Sequence, residues 1–226
     1  MKKIIVAASL AAIGFAVSAF VNPKTSSDVN FEGVVTYSIN IDNPQLAAMM
    51  QGSAGTFYMK GDKTKFYIDM IVQKITIFSD RKTPDAPIML MEMGDNKFQI
   101  KDDTTKKDDT KDPVIKYTDE TKVIAGYTCH KAEVTMTDRS GQTSIVNVYY
   151  TEELPYYNGK KSPFKGLKGF PMEYPVKQPI GTLTFSATKV EKQPVSDNIF
   201  AVPSGYKLMT MQQIMQEAQN NSDMAK

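Results

Sequence analysis

Residues 121–136 read TKVIAGYTCHKAEVTM and contain the only cysteine of the chain, Cys129, next to its only histidine, His130. Apolar and polar residues alternate through the second half of this stretch, a pattern typical of a half-buried β-strand. Neighbouring side chains of a strand point to opposite faces. The stretch therefore predicts a strand on which Cys129 and His130 face apart, and such a strand excludes a nucleophile–base dyad of the two.

A structural role for Cys129 is the favoured interpretation, because a free cysteine packs as a small hydrophobic residue. An intermolecular disulfide is the alternative, since a single thiol has no partner within its own chain. One histidine and one cysteine also lack the ligand spacing of a zinc site. We expect no metal, no cofactor and no internal disulfide, so packing must stabilise the core.

The first nineteen residues have the pattern of a secretory signal peptide. Lys2 and Lys3 precede an apolar run over residues 4–15, and Val17-Ser18-Ala19 fits a cleavage site before Phe20. An uncleaved N-terminal helix is disfavoured because the apolar run is shorter than a bilayer is thick. We predict a cut after Ala19, a periplasmic or secreted protein, and no transmembrane anchor in the mature form.

Charge excludes several classes of partner. The whole chain has 27 basic and 25 acidic residues, and removal of the leader lysines leaves 25 of each. A protein without basic excess has no electrostatic footprint for nucleic acid or for an anionic membrane surface. The sequence gives no prediction of the oligomeric state.

Short alternating segments separated by turn residues predict a mainly β fold. They cover residues 31–41, 56–60, 65–71, 75–78, 88–93, 97–101, 143–150 and 180–189. Consecutive strands joined by short loops favour an antiparallel meander. We expect one β-rich domain over residues 31–219, between a flexible lead-in at 20–30 and a polar tail at 220–226.

Two helices are predicted around this sheet. Asn43 and Pro44 form a helix start, and Leu46, Met49 and Met50 follow at helical spacing, so residues 44–50 are expected to cover one end of the sheet as a short lid. Near the C-terminus, Thr210 and Gln213 fit a capping box ahead of an amphipathic stripe. The stripe consists of Met211, Ile214, Met215 and Ala218.

Residues 101–113 read KDDTTKKDDTKDP, with five aspartates. Their spacing lacks the alternating ligands, turn glycine and closing glutamate of a calcium loop. A solvated connection is therefore favoured. The chain also has no nucleophile elbow, zinc-protease motif or phosphate loop. Paired carboxylates of a hydrolase are not testable from sequence because their pairing is spatial.

Methionine provides the candidate binding site. The chain has fourteen methionines, and their flexible side chains suit a cavity that accepts hydrocarbon. Phe66, Ile68 and Met70 form one predicted stripe, and Met89, Met91 and Met93 form another. The candidate lining residues are Phe66, Ile68, Met70, Met89, Met91, Met93, Met49 and Met50. A plastic core under a curved sheet is an equally good interpretation.

Three segments carry a family resemblance. Residues 121–132 (TKVIAGYTCHKA) and 164–173 (FKGLKGFPME) resemble secreted Gram-negative proteins of the GLPGLI family, and residues 200–206 (FAVPSGY) resemble a related family known as a domain of unknown function. The second segment has GFPM where GLPGLI would stand, which favours the related family. Gly126 and Gly205 suit turns with positive φ, and Pro171 and Pro203 are expected to stop strand pairing.

The resemblance implies a fold similar to the lipoprotein carriers LolA and LolB, a strongly curved antiparallel sheet or half-open barrel that holds acyl chains. On this basis we expect an exported, non-enzymatic protein that binds a lipid or lipoprotein acyl chain in its concave face. The alternative is a structural or interaction protein of the cell envelope with a filled core. A hydrolase ranks third.

Overall fold

The computed structural model describes residues 31–71, 73–83, 86–101, 111–137, 141–156, 162–178 and 180–224. The predicted signal peptide, the lead-in and most of the aspartate-rich stretch lie outside these residues. Twelve strands are present in the described part of the chain: β1 Glu32–Ile41, β2 Ala54–Lys60, β3 Lys63–Asp69, β4 Lys74–Asp80, β5 Ile88–Met93, β6 Asn96–Ile100, β7 Val114–Ile124, β8 Tyr127–Thr137, β9 Thr143–Thr151, β10 Phe170–Gln178, β11 Gly181–Lys192 and β12 Lys207–Met209.

All twelve strands belong to one sheet, in the order β12-β6-β5-β4-β3-β2-β1-β11-β10-β9-β8-β7. Two antiparallel meanders, β1 to β6 and β7 to β11, are joined by the long pairing of β1 with β11. The predicted meander is therefore confirmed. The two ends of the sheet are β12 and β7, which do not pair with each other. The sheet is therefore open and does not form a closed barrel.

Turn chemistry fixes the hairpin that contains the quoted stretch. Ala125 and Gly126 between β7 and β8 both have positive φ, at 50° and 85°. Two central residues with positive φ make the type I′ turn, whose twist matches that of the flanking strands. The expected positive φ is also present at Gly205, at 88°.

The sheet curls towards the face that carries the apolar side chains of β1, which we name the inner face. Three strand spacings, roughly 14 Å at about 4.8 Å each, separate β2 from β10 along the sheet. Nevertheless the rings of Phe57 and Phe170 lie 5.2 Å apart, and Phe66 on β3 lies 6.2 Å from Phe185 on β11. Tyr37 on β1 donates a buried hydrogen bond of 2.7 Å to the carbonyl of Pro171.

Strand β10 corrects one expectation. Pro171 was expected to stop strand pairing, but it lies inside β10 and pairs with Tyr150 of β9. The register shifts between Pro171 and Glu173, and a bulge is where a sheet tolerates a residue that lacks an N–H. The neighbouring Gly169 has no room for a side chain, since an added Cβ would lie 2.3 Å from the carbonyl oxygen of Thr151.

The edge strand β7 contains an irregularity of its own. Tyr117 pairs with Ala132 and Thr121 pairs with His130, so three residues of β7 oppose the single Lys131 of β8. The hydroxyl of Thr118 donates to the carbonyl of Lys131 at 3.2 Å and holds this bulge in place. The bulge bends the strand and interrupts its ladder.

The segment of residues 193–206, here called the crossover segment, runs across the outer face from the end of β11 to β12. The side chain of Lys60 donates to the carbonyl of Val195 at 2.9 Å, and Glu32 accepts from the N–H of Val195 at 2.6 Å. Further along, the hydroxyl of Tyr206 donates to Glu92. The segment ends in β12, which pairs in parallel with β6.

Helices are few in the described residues. The predicted helix start is confirmed: α1 spans Pro44–Ala47, and the side chain of Asn43 accepts from the N–H of Gln45 at 3.0 Å. The second helix, α2, spans Met211–Met224 and continues past residue 220, where the polar tail was expected to begin. A 3-10 turn at Asp197–Phe200 lies within the crossover segment.

We predict that Tyr37→Phe lowers the free energy of unfolding by about 1–2 kcal/mol, because the buried carbonyl of Pro171 loses its partner. Chemical denaturation followed by circular dichroism measures this change. Tyr117→Phe is the matched control, since its hydroxyl bonds the backbone of Gly166 and Lys168 in an exposed position, where water can replace it. Equal effects of the two variants would contradict the prediction.

Candidate functional site

The inner face of β2–β6 carries two rows of side chains in register. The first row is buried for the most part and consists of Gly55, Ile68, Ile75, Met91 and Phe98. The second row, here called the apolar strip, is half-buried in every strand and consists of Phe57, Phe66, Ile77, Met89 and Ile100. Neither row contains a charged side chain. The inner face therefore offers partly accessible hydrocarbon across five strands.

Six of the predicted lining residues lie on this face. Strand pairing through β4 brings the stripe of β3 and the stripe of β5 to the same side of the sheet: Phe66 is opposite Ile77, and Ile77 is opposite Met89. Ile68 and Met91 are buried. Phe66, Met89, Met70 and Met93 remain half-buried.

The other two predicted residues separate from this group. Both follow α1 in the connection to β2, where Met50 is half-buried and packs against the main core. Met49 is 60% exposed. The structure thus places Met50 at one end of the inner face and turns Met49 towards solvent.

Sequence reasoning missed six members of the two rows: Gly55 and Phe98 of the first row, and four others. Ile75 and Ile77 of β4 lie between the two methionine-containing stripes, and Phe57 and Ile100 extend the strip on either side. All four have the period of two that marks one face of a strand. They were not predicted because the candidate lining was chosen from stripes that contain methionine.

Helix α2 lies at the β12 end of the strip. Its N-terminus has the predicted capping box, with Thr210 N–H donating to Gln213 at 2.9 Å and Gln213 N–H donating to Thr210 at 3.2 Å. Ile214 is buried against Phe98 and Met209. The two methionines of its predicted stripe, Met211 and Met215, are exposed. The stripe thus packs through a single described side chain.

The other half of the inner face is filled by the protein itself. The ring of Tyr174 on β10 stacks on the ring of Phe185, with 5.1 Å between the ring centres. Phe164, from the segment before β10, makes a T-shaped contact with Tyr174, with 5.2 Å between the ring centres. Burial raises the pKa of Tyr174 and of Tyr37 far above the ordinary value for tyrosine. These side chains form a continuous core with Leu154 and Leu167.

The cysteine and histidine of the quoted stretch are separated as expected. Both belong to β8, where Cys129 is completely buried and His130 is exposed. Burial raises the pKa of the Cys129 thiol to about 11. A thiol with so high a pKa is a poor nucleophile at neutral pH, because the thiolate is the reactive form. The structure assigns Cys129 to the core.

Charged groups gather on the outer face of the second meander. Lys131 forms a salt bridge with Glu120, with 2.7 Å between Nζ and the carboxylate oxygen. Lys122 forms one with Glu173 at 2.6 Å. The hydrogen bond from Lys131, with a second from Tyr149, lowers the pKa of Glu120. These carboxylates are therefore engaged in cross-strand pairs.

The described residues contain neither a candidate metal site nor a helix able to span a membrane. Within the described ranges, no three His, Cys, Asp or Glu side chains come together as a metal site requires. Of the aspartates in the expected solvated connection, Asp112 is described and pairs with Lys165 at 2.6 Å. No helix in the described part of the chain is long and apolar enough to cross a bilayer.

Comparison with known proteins gives weak structural similarity. No family model matches the chain, and no curated protein matches it. The crystal structure of MucB aligns over 79% of this chain with 8% identity and a TM-score of 0.35. The chain spans 59% of the length of MucB.

A second solved structure is a domain from Vibrio parahaemolyticus that carries the description outer membrane lipoprotein-sorting protein. It aligns over 76% of this chain and 90% of its own length, with 10% identity and a TM-score of 0.32. Alignments at such TM-scores assign no family, and the architecture described above rests on strand pairing alone. The resemblance to the GLPGLI family stays a prediction.

We predict that Cys129→Ser removes a pH dependence of stability. The thiol pKa is raised from 9.0 to about 11 in the folded state, so the unfolded chain ionises first as the pH rises. The contribution of the neutral thiol is complete below pH 9 and is lost between pH 9 and 11. At neutral pH the variant should cost about 1 kcal/mol.

The measurement is chemical denaturation of wild type and variant at pH 7, 9 and 11. Because tyrosines and lysines titrate in both proteins, the difference between the two curves isolates the cysteine. A difference that does not change with pH would contradict the assignment. The apolar-ligand binding proposed below should survive the substitution.

Proposed function

We propose that this protein is an exported, non-enzymatic binder of an apolar chain, with an acyl chain of a lipid or lipoprotein as the ligand. The observation that supports this proposal most directly is the apolar strip, five half-buried side chains in register across β2–β6 without a charge. The strip is flanked on one side by the aromatic core and on the other by α2, which packs through Ile214.

The energetics favour an extended hydrocarbon. Four strand spacings of about 4.8 Å give the strip a length of roughly 19 Å. Each buried methylene contributes about 0.8 kcal/mol, so even eight methylenes would offset several kcal/mol of ordering cost. Methionine adapts to a flexible chain without a fixed shape, and Met89 lies near the centre of the strip.

Two further features support a binding rather than a catalytic role. Cys129 is buried with a raised pKa, and His130 points to the other face of β8. Two of the described carboxylates, Glu120 and Glu173, are engaged with lysines on the outer face. The predicted signal peptide supports a periplasmic or secreted location, which fits a lipid or lipoprotein partner.

The second candidate function is an interaction protein of the cell envelope with a filled core. The observation that favours it is the half of the inner face between β10 and β1, where Phe164, Tyr174 and Phe185 pack against one another. If α2 and the apolar strip close over one another in the same way, no small ligand is needed.

We predict that Met89→Glu weakens binding of the fluorescent fatty acid cis-parinaric acid at least about tenfold, a loss of about 1.4 kcal/mol. A carboxylate at this position, the fourth of the five in the strip, must lose its hydration when the chain binds. Met89→Gln, which adds polarity without charge, should have a smaller effect in the same direction. Fluorescence titration with laurate displacement measures the affinities.

Ile145→Glu is the matched control, because Ile145 is 64% exposed on β9, away from the strip. Circular dichroism establishes that each variant is folded. Equal affinity of the wild type and all three variants would show that the probe does not bind at the apolar strip. Failure of the wild type to bind the probe would overturn the proposal and leave the filled-core alternative.

A further inference from the structure

A cavity of about 300 Å³ lies at the end of β1, between that strand and the chain that leads from α1 into β2. Its floor includes Ile39, Ile41 and Met50, and its rim includes Ala47 and Ser53. The volume is at the lower limit of pockets that hold small ligands. The cavity lies outside the apolar strip and shares none of its five residues.

The backbone of one strand residue in this cavity, Ile41, has no hydrogen-bond partner among the described residues. Asp42 N–H donates to Thr182 of β11 at 3.1 Å, and Ile39 N–H donates to Ser53 at 3.2 Å on the opposite side. Hydrogen-bonded pairs alternate along an antiparallel ladder. The N–H and C=O of Ile41 therefore point away from β11 towards the cavity, where no described residue pairs with them.

The missing partner has a clear origin in the chain path. Strand β2 pairs with β1 only as far as Ala54 opposite Ser38. Before that point the chain turns away at Gly52, whose φ is +91°. A place beside Ile41 that one more strand residue would occupy is thus left open.

The walls of the cavity are fixed. Asp42 accepts from the N–H of Thr182 at 2.7 Å, and the side-chain amide of Asn43 donates to the carbonyl of Ile180 at 3.0 Å. The bond from Thr182 lowers the pKa of Asp42. These two bonds hold the start of the α1 segment, and the bond from Ile39 N–H to Ser53 holds its end, so the cavity is formed without a ligand.

We propose that this cavity is a binding site for a short extended peptide segment, which pairs with Ile41 as an added strand residue. Ile41 N–H donates to a carbonyl of the peptide, and the Ile41 carbonyl accepts an N–H from it. Such pairing would satisfy both backbone groups of Ile41 with protein partners. Pairing at a vacant strand position is an established mode of peptide recognition.

The apolar floor determines the class of peptide. Ile39, Ile41, Ala47 and Met50 supply no charge, so a segment with small uncharged side chains fits best. The site is independent of the proposed acyl-chain function. If the fatty-acid probe does not bind, the peptide-site proposal still stands. If the peptide does not bind, the acyl-chain proposal still stands.

The test is an amide titration of the ¹⁵N-labelled full-length protein with N-acetyl-alanyl-alanine N-methylamide. We expect saturable shift changes at Ile41, Ser53 and their neighbours in the α1 segment, and slower hydrogen exchange of the Ile41 amide at saturation. The same molecule methylated at its central amide nitrogen has lost one donor, so it should give weaker changes.

Ala47→Phe fills the cavity and should abolish the saturable shifts. Ala48→Phe is the matched control, because Ala48 is the adjacent exposed residue and does not line the cavity. Shifts that persist in Ala47→Phe, that disappear equally in both variants, or that scatter over the whole sheet would overturn the proposal. So would the absence of any shift in the wild type.

Discussion

The buried hydrogen bond from Tyr37 to the carbonyl of Pro171 depends on a sheet that is curled, and the curl determines everything else on the inner face. A flat sheet of this width would expose the apolar side of β1 and leave its rings without partners. Curling brings Phe57 against Phe170 and Phe66 against Phe185. The chain has no disulfide to impose this shape, so packing of the apolar core and the hydrogen bond from Tyr37 have to maintain it.

The curl divides the inner face into two unequal environments. Near β10 and β11 the space is occupied by the aromatic core and by Phe164, which belongs to the segment that precedes β10. Towards β6 the sheet extends past this filling, and the strip from Phe57 to Ile100 is covered only in part. A ligand bound to the strip would displace water from its half-buried side chains. It would also lie beside the packed aromatic core. The proposed function depends on this difference between the two halves.

Much of the fold follows from patterns in the sequence, because a period of two identifies strands and their faces. That period assigned Phe66 and Met89 to apolar stripes on their own strands and separated Cys129 from His130. It failed for β10, where Pro171 and Pro175 oppose a strand assignment and only the bulge and long-range pairing make one tolerable. It also gave no indication of the parallel β12, of the crossover segment or of the vacant place beside Ile41, since each depends on which distant strands become neighbours.

An open sheet of twelve strands has two edges at which further chains can add, and edge-to-edge growth is a hazard for any such protein. At one edge, β12 is only three residues long, too short to template a stable strand. At the other, the three residues of β7 opposite Lys131 break the ladder in the middle of an eleven-residue strand. The irregularity therefore interrupts the row of backbone groups that a second copy of the chain would need in order to pair edge-to-edge with β7.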